Sequence, residues 1–93
     1  MQVKPKKSLG QNFLKDENIL KLIVDKANIN KNDNVIEIGP GTGNLTKEIL
    51  FKMPCSVTVI EKDKNLSNIL KLNFKDKIKL INKDFLLMEE KDI

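Results

Sequence analysis

Apolar and polar positions alternate along the chain in two rhythms. From Asp16, a residue type that caps helix starts, Leu20, Ile23, Val24 and Ala27 fall at i, i+3, i+4 and i+7. That spacing predicts a helix ending near Asn28 with those four residues on one face. The turn-forming run Asn30-Lys31-Asn32-Asp33 follows, and then Val35-Ile36-Glu37-Ile38 stops at Gly39, as expected of a short buried parallel strand. A second helix is expected from Gly43 or Asn44, with Leu45, Ile49 and Leu50 inward and its end before Pro54. Val57-Thr58-Val59-Ile60 reads as the second strand, Leu66, Ile69, Leu70 and Asn73 as the inner face of a third helix, and Ile78-Lys79-Leu80-Ile81 as the third strand.

The order helix, β, α, β, α, β with short connections predicts an α/β fold: a parallel sheet of about three strands with flanking helices, the N-terminal half of a Rossmann-like, doubly wound domain. Residues 1–15 stand apart as a basic arm broken by Pro5 and Gly10, which is expected to be extended and to dock through Phe13-Leu14. Residues 16–93 then form one partial domain. Met88 to Ile93 brings no further strand, and a doubly wound sheet of three strands leaves an edge with unpaired backbone groups. A truncated chain is therefore expected; a complete three-stranded domain is the alternative.

Composition narrows this picture modestly. At 93 residues the chain can bury one modest core. All 17 basic residues are lysines, and the net charge of +4 suits a protein that meets polyanions, although a solvated lysine-rich surface fits the same count. The single Cys55 excludes an internal disulfide and is expected to be a buried or half-buried structural thiol. No stretch has the apolar length needed to span a bilayer, and the N-terminus lacks the apolar stretch of a secretory signal, so a soluble, intracellular monomer is expected.

Candidate chemistry gathers at the strand ends. Gly39-Pro40-Gly41-Thr42-Gly43 follows the first strand, where missing Cβ atoms let the backbone turn sharply and approach a ligand at the head of a helix. The plain alternative is a tight turn. A dinucleotide fingerprint needs a third glycine at the sixth position, which here is Asn44. Glu37 beside the loop repels an anion but suits the cationic amino-acid end of S-adenosylmethionine. Glu61, ending the second strand, can accept hydrogen bonds from both ribose hydroxyls, a role common to NAD and S-adenosylmethionine sites. Asp84 after the third strand can accept from an adenine amino group, with Phe85 against the ring. No metal-ligating set is expected.

Pro5-Lys6-Lys7-Ser8-Leu9-Gly10-Gln11-Asn12-Phe13-Leu14, Glu37-Ile38-Gly39-Pro40-Gly41-Thr42-Gly43-Asn44-Leu45-Thr46, Glu61-Lys62-Asp63 and Asp84-Phe85 occur in this order. With them the chain resembles the ribosomal RNA adenine dimethyltransferase family over nearly its whole length, most closely the bacterial small-subunit type. The resemblance implies S-adenosylmethionine as cofactor. It implies that Asn12 and Leu14 close over it with help from Gln11, that Gly39 and Gly41 approach its methionine part, that Glu61 holds the ribose and that Asp84 reads the adenine. It further implies a cytoplasmic enzyme that dimethylates N6 of two adjacent adenosines in small-subunit (16S-type) rRNA, with the rRNA or the pre-ribosomal small subunit as partner and a role in ribosome biogenesis.

The family's Asn-Leu/Ile-Pro-Tyr motif, which binds the target amine and stacks the extruded base, does not occur in this chain. No catalytic residue is therefore assigned here, and the chain alone is expected to lack methyl transfer. The similar macrolide-resistance group, which modifies a large-subunit rRNA adenosine, usually has Gly-Thr-Gly-Lys-Gly where this chain has Gly39-Pro40-Gly41, and it remains the alternative. A non-catalytic nucleic-acid-binding protein on the same fold is a further one.

Overall fold

The computed structural model describes residues 16–93. Helix α1 (Glu17–Lys26) starts as its sequence predicts: Asp16 Oδ1 accepts the N–H groups of Asn18 at 2.9 Å and Ile19 at 3.3 Å, satisfying donors that the first turn leaves orphaned. It buries Leu20 and Val24. Ile23 and Ala27, expected on the same inner face, are exposed. The helix packs chiefly against one neighbouring helix, so only a narrow stripe is covered.

The remaining elements are β1 (Asn34–Ile38), α2 (Asn44–Phe51), β2 (Ser56–Ile60), α3 (Lys64–Phe74) and β3 (Lys79–Ile81), with short 3-10 turns at Lys75–Lys77, Phe85–Leu87 and Glu90–Asp92. The three strands form one parallel sheet in the order β1-β2-β3. Val24, Ile49, Val57, Val59, Leu70 and Ile78 make a single core. Residues from all three helices meet alternate strand positions there, so the helices share one face of the sheet. Ile36 and Ile38, on the opposite face of β1, are 46% and 52% exposed.

Two side-chain placements differ from the sequence pattern. On α3 the buried positions are Ser67 and Leu70, while Ile69 and Asn73 are exposed. Ser67, which the apolar spacing does not mark, is buried with its Oγ donating to the carbonyl of Glu61 at the end of β2. Cys55 is exposed, not buried. Its backbone N–H is fixed by Asp33 O at 2.8 Å in the turn leading to β2, which anchors the main chain and leaves the thiol outside.

Register positions the carboxyl ends of the strands. Ile38 pairs with Ile60, and Ile60 with Ile81. One further rung extends each ladder: Gly39 N–H donates to Ile60 O at 2.9 Å, and Glu61 N–H donates to Ile81 O at 3.0 Å. The glycine loop then reverses the chain into α2 through three left-handed glycines, with φ of 67° at Gly39, 61° at Gly41 and 95° at Gly43. Beneath it, Thr46 Oγ1 in the first turn of α2 donates to Glu37 Oε1 at 2.5 Å, and Thr46 and Glu37 are both buried. Burial raises the Glu37 carboxyl above the usual carboxylate range, and the Thr46 hydrogen bond opposes part of that rise.

Gly43 is the loop residue most constrained by its neighbours: a Cβ there would fall 2.8 Å from Phe74 Cζ, closer still to Phe74 Cε2, and 3.1 Å from Leu70 Cδ2. Gly43→Ala should lower stability by about 2–4 kcal/mol in urea unfolding, combining left-handed strain with overpacking. Gly41→Ala, with open space around its Cβ, should lose only about 1–2 kcal/mol. Equal losses at the two sites would contradict the packing account.

The raised Glu37 pKa makes a second prediction. A folded state that holds this proton more tightly than the unfolded chain does loses stability as pH rises from the ordinary carboxylate value through the raised one. Glu37→Gln keeps an acceptor for Thr46 and removes the titration. It should flatten that part of the stability profile and be at least as stable as the parent at neutral pH. A slope unchanged in the variant would assign the titration to another group.

Candidate functional site

The glycine loop and the ends of β2 and β3 enclose a hollow of about 250 Å³. Ile38, Ile60 and Phe85 supply apolar walls, Gly39 part of the rim, and Glu61 and Asp84 the carboxylates. Lys62 and Lys83 border it as well. Larger hollows lie elsewhere: those of about 370 and 560 Å³ surround Phe51 in the helical layer and touch neither the loop nor a strand's carboxyl end, and one of about 300 Å³ runs between α3 and β3, reaching Asn82 but not the loop. The small hollow is where an open parallel sheet places its ligands.

Glu61 is 6% exposed yet borders the hollow. Its Oε2 accepts the N–H of Asp63 at 2.9 Å, which fixes one oxygen and leaves Oε1 as an acceptor. Asp63 itself caps α3 through Leu66 N–H, so the turn carrying Glu61 is also a helix start. Asp84 is half-buried. Its Oδ1 accepts Leu86 N–H at 3.0 Å and folds Phe85–Leu87 into the turn that brings Phe85 to the hollow. One oxygen of each carboxylate is thus occupied by backbone, and the other can take a ligand donor.

Gly39 and Gly41 behave as a backbone that can be approached closely: a Cβ at either would meet nothing within 4 Å. Gly43 serves packing instead. Glu37 does not border the hollow; its carboxylate is turned to Thr46 beneath the loop. Asn12 and Leu14, like the rest of the basic arm, lie outside the described residues. Among the described residues no group of three or more His, Cys, Asp or Glu could hold a metal ion, and no helix is long and apolar enough to cross a membrane.

One polar residue at this edge escaped the sequence reading. Because Ile60 is level with Ile81, the residue level with Glu61 is Asn82, and Asp84 lies two positions further on. Asn82 Nδ2 donates to Glu61 O at 2.9 Å and to Lys62 O at 3.2 Å. Extending the register by one residue from the predicted strands is the signal that finds it.

A ligand rich in hydroxyl and amino donors, such as a nucleoside, fits this set of acceptors. The carboxylates of buried Glu61 and half-buried Asp84 suit hydroxyl and amino donors and would repel a phosphate, and Gly39 and Gly41 leave open space at the loop.

The chain is similar over its whole length, at 52% identity, to the ribosomal RNA small subunit methyltransferase A of Pelagibacter ubique, of which it covers 35%. It is 46% identical to the protein of that name from Sulfurihydrogenibium sp. (90% of this chain, 33% of the relative) and 55% identical to that from Streptococcus thermophilus (87% and 28%). The chain thus spans about a third of the length of the curated relatives it matches. Among solved structures, the 23S rRNA methyltransferase ErmE superposes with a TM-score of 0.75 at 33% identity, covering 83% of this chain and 32% of that one. Residues 2–92 match the family described as ribosomal RNA adenine dimethylase, and the chain belongs to that family.

Proposed function

We propose that the protein is an S-adenosylmethionine-dependent enzyme that dimethylates N6 of two adjacent adenosines in small-subunit rRNA during ribosome biogenesis, and that this chain supplies its cofactor half-site. The observation that carries the reading is the convergence of the glycine loop, Glu61 and Asp84 on one hollow in a chain of this family. In it, Gly39 and Gly41 take the methionine part against bare backbone, Glu61 accepts from the ribose hydroxyls and Asp84 from the adenine amino group, and Ile38, Ile60 and Phe85 flank the ring. Asn12 and Leu14, on the arm of residues 1–15, close over the cofactor.

Bound cofactor supplies an activated methyl group. The residues of this chain contribute orientation and exclusion of water, because direct displacement on such a methyl needs an in-line amine more than an acid or base. The residues that hold the target adenine would belong to an Asn-Leu/Ile-Pro-Tyr motif, and none of these 93 residues is assigned a catalytic role. The small-subunit assignment follows the names of the relatives at 46–55% identity. Large-subunit modification, which the ErmE title states for that protein, is the second reading.

In the full-length protein Glu61→Ala should weaken S-adenosylmethionine binding by about 1–3 kcal/mol, the worth of lost hydrogen bonds to a charged acceptor; calorimetry that finds the affinity unchanged would remove Glu61 from the ribose. Incubating full-length protein and labelled methyl donor with small- and large-subunit particles should place dimethyladenosine in the small-subunit rRNA. Label that enters only large-subunit rRNA would select the second reading.

A further inference from the structure

We propose that Asn82 is a positioning residue that fixes Glu61 for its ligand and joins the ends of β2 and β3 into one rigid jaw. The proposal rests on the cofactor reading above and adds to it a residue that touches no ligand. The backbone ladder between β2 and β3 ends at the Glu61 N–H to Ile81 O bond. Beyond that rung the strands diverge, β2 into the turn that starts α3 and β3 into the turn that carries Asp84. The carbonyls of Glu61 and Lys62 lie just past the rung, and the Asn82 amide donates to both, at 2.9 and 3.2 Å. A side chain thus continues the sheet for one further step.

Ser67 closes the same corner from the helix side. Its hydroxyl, 4% exposed with its residue, donates to the Glu61 carbonyl at 3.3 Å. The Glu61 carbonyl is therefore held from two directions, and its carboxylate from a third by Asp63 N–H. Little freedom remains for the residue to turn away from the hollow. Asn82 also stands two positions before Asp84, so the same amide sets the spacing between the two carboxylates. A ligand held at both carboxylates is sensitive to that spacing, because a displacement of about 1 Å in a positioning contact is felt strongly.

Exposure separates this role from a merely structural one. Asn82 is exposed and its loss opens no core cavity, so unfolding of the ligand-free protein should change little while ligand affinity falls. In the full-length protein Asn82→Ala should raise the Kd for S-adenosylmethionine about three- to tenfold, the range spanned by uncharged hydrogen bonds. Ser67→Ala, which favours the helix, should move the Kd in the same direction by less and reports on the corner should Asn82→Ala fold poorly. The decisive measurement is the cycle with Glu61→Ala: in that background Asn82→Ala should cost less than about twofold, because the residue acts through Glu61. Unchanged affinity in both single variants, or an undiminished Asn82 effect without Glu61, would overturn the proposal. A Glu61→Ala variant that binds normally would overturn the ribose reading first and this inference with it.

Discussion

The passage from β1 into α2 is the constraint on which the rest depends. Within five residues the chain leaves a parallel strand, exposes backbone at the sheet's edge and starts a helix that packs back on the same sheet. Three left-handed glycines make the reversal possible, each standing where a Cβ-bearing residue is strained. They do not do the same work. Gly43 admits the Phe74 ring and so sets how closely α3 approaches α2, whereas Gly39 and Gly41 border open space. The buried Thr46–Glu37 hydrogen bond spans the loop from below, joining the strand before it to the helix after it. A carboxyl placed there is costly to ionise, and that cost is a reason to regard Glu37 as a brace of the loop.

Once the loop is set, register does the rest. Parallel strands in step bring Gly39, Glu61 and Asn82 to one level, and the ladder's last rungs hold the first two by their own N–H groups. Each carboxylate at the edge is then half-occupied by a backbone donor of the following turn, Asp63 for Glu61 and Leu86 for Asp84. The same bonds that start α3 and the 3-10 turn at Phe85 therefore aim the acidic groups. Local secondary structure and site geometry are one set of interactions.

Much of this was legible in the sequence because the relevant signals are local. Asp16 as a cap, the β-branched runs that end at Gly39 and Glu61, and the glycine spacing each report on a few neighbouring residues. What was missed depends on neighbours distant in sequence. Ile23 and Ile69 have helical spacing yet face outward, because the width of a buried stripe is set by what packs on it. Ser67 is buried because a carbonyl from β2 meets its hydroxyl, and a polar residue gives no periodic signal of that contact. Cys55 is exposed because its backbone, not its thiol, is the anchored part of the turn. Asn82 needed the register, which periodicity alone does not specify.

Strand alternation also decides which acidic residue can meet a ligand at this edge. Successive side chains on β1 point to opposite faces, so Glu37 and Ile38 cannot both face the hollow. Ile38 borders it, together with Ile60, which is buried although it lies opposite the helical core. Glu37 is therefore on the helix side, with the sheet between its carboxylate and the hollow's apolar walls. Glu61 escapes this rule because it stands just past the end of β2, where the chain has begun to turn and a side chain is no longer bound to either face. The acidic groups that line the hollow thus come from residues that follow the strands. The carboxylate inside β1 acts on the loop by holding its two ends together.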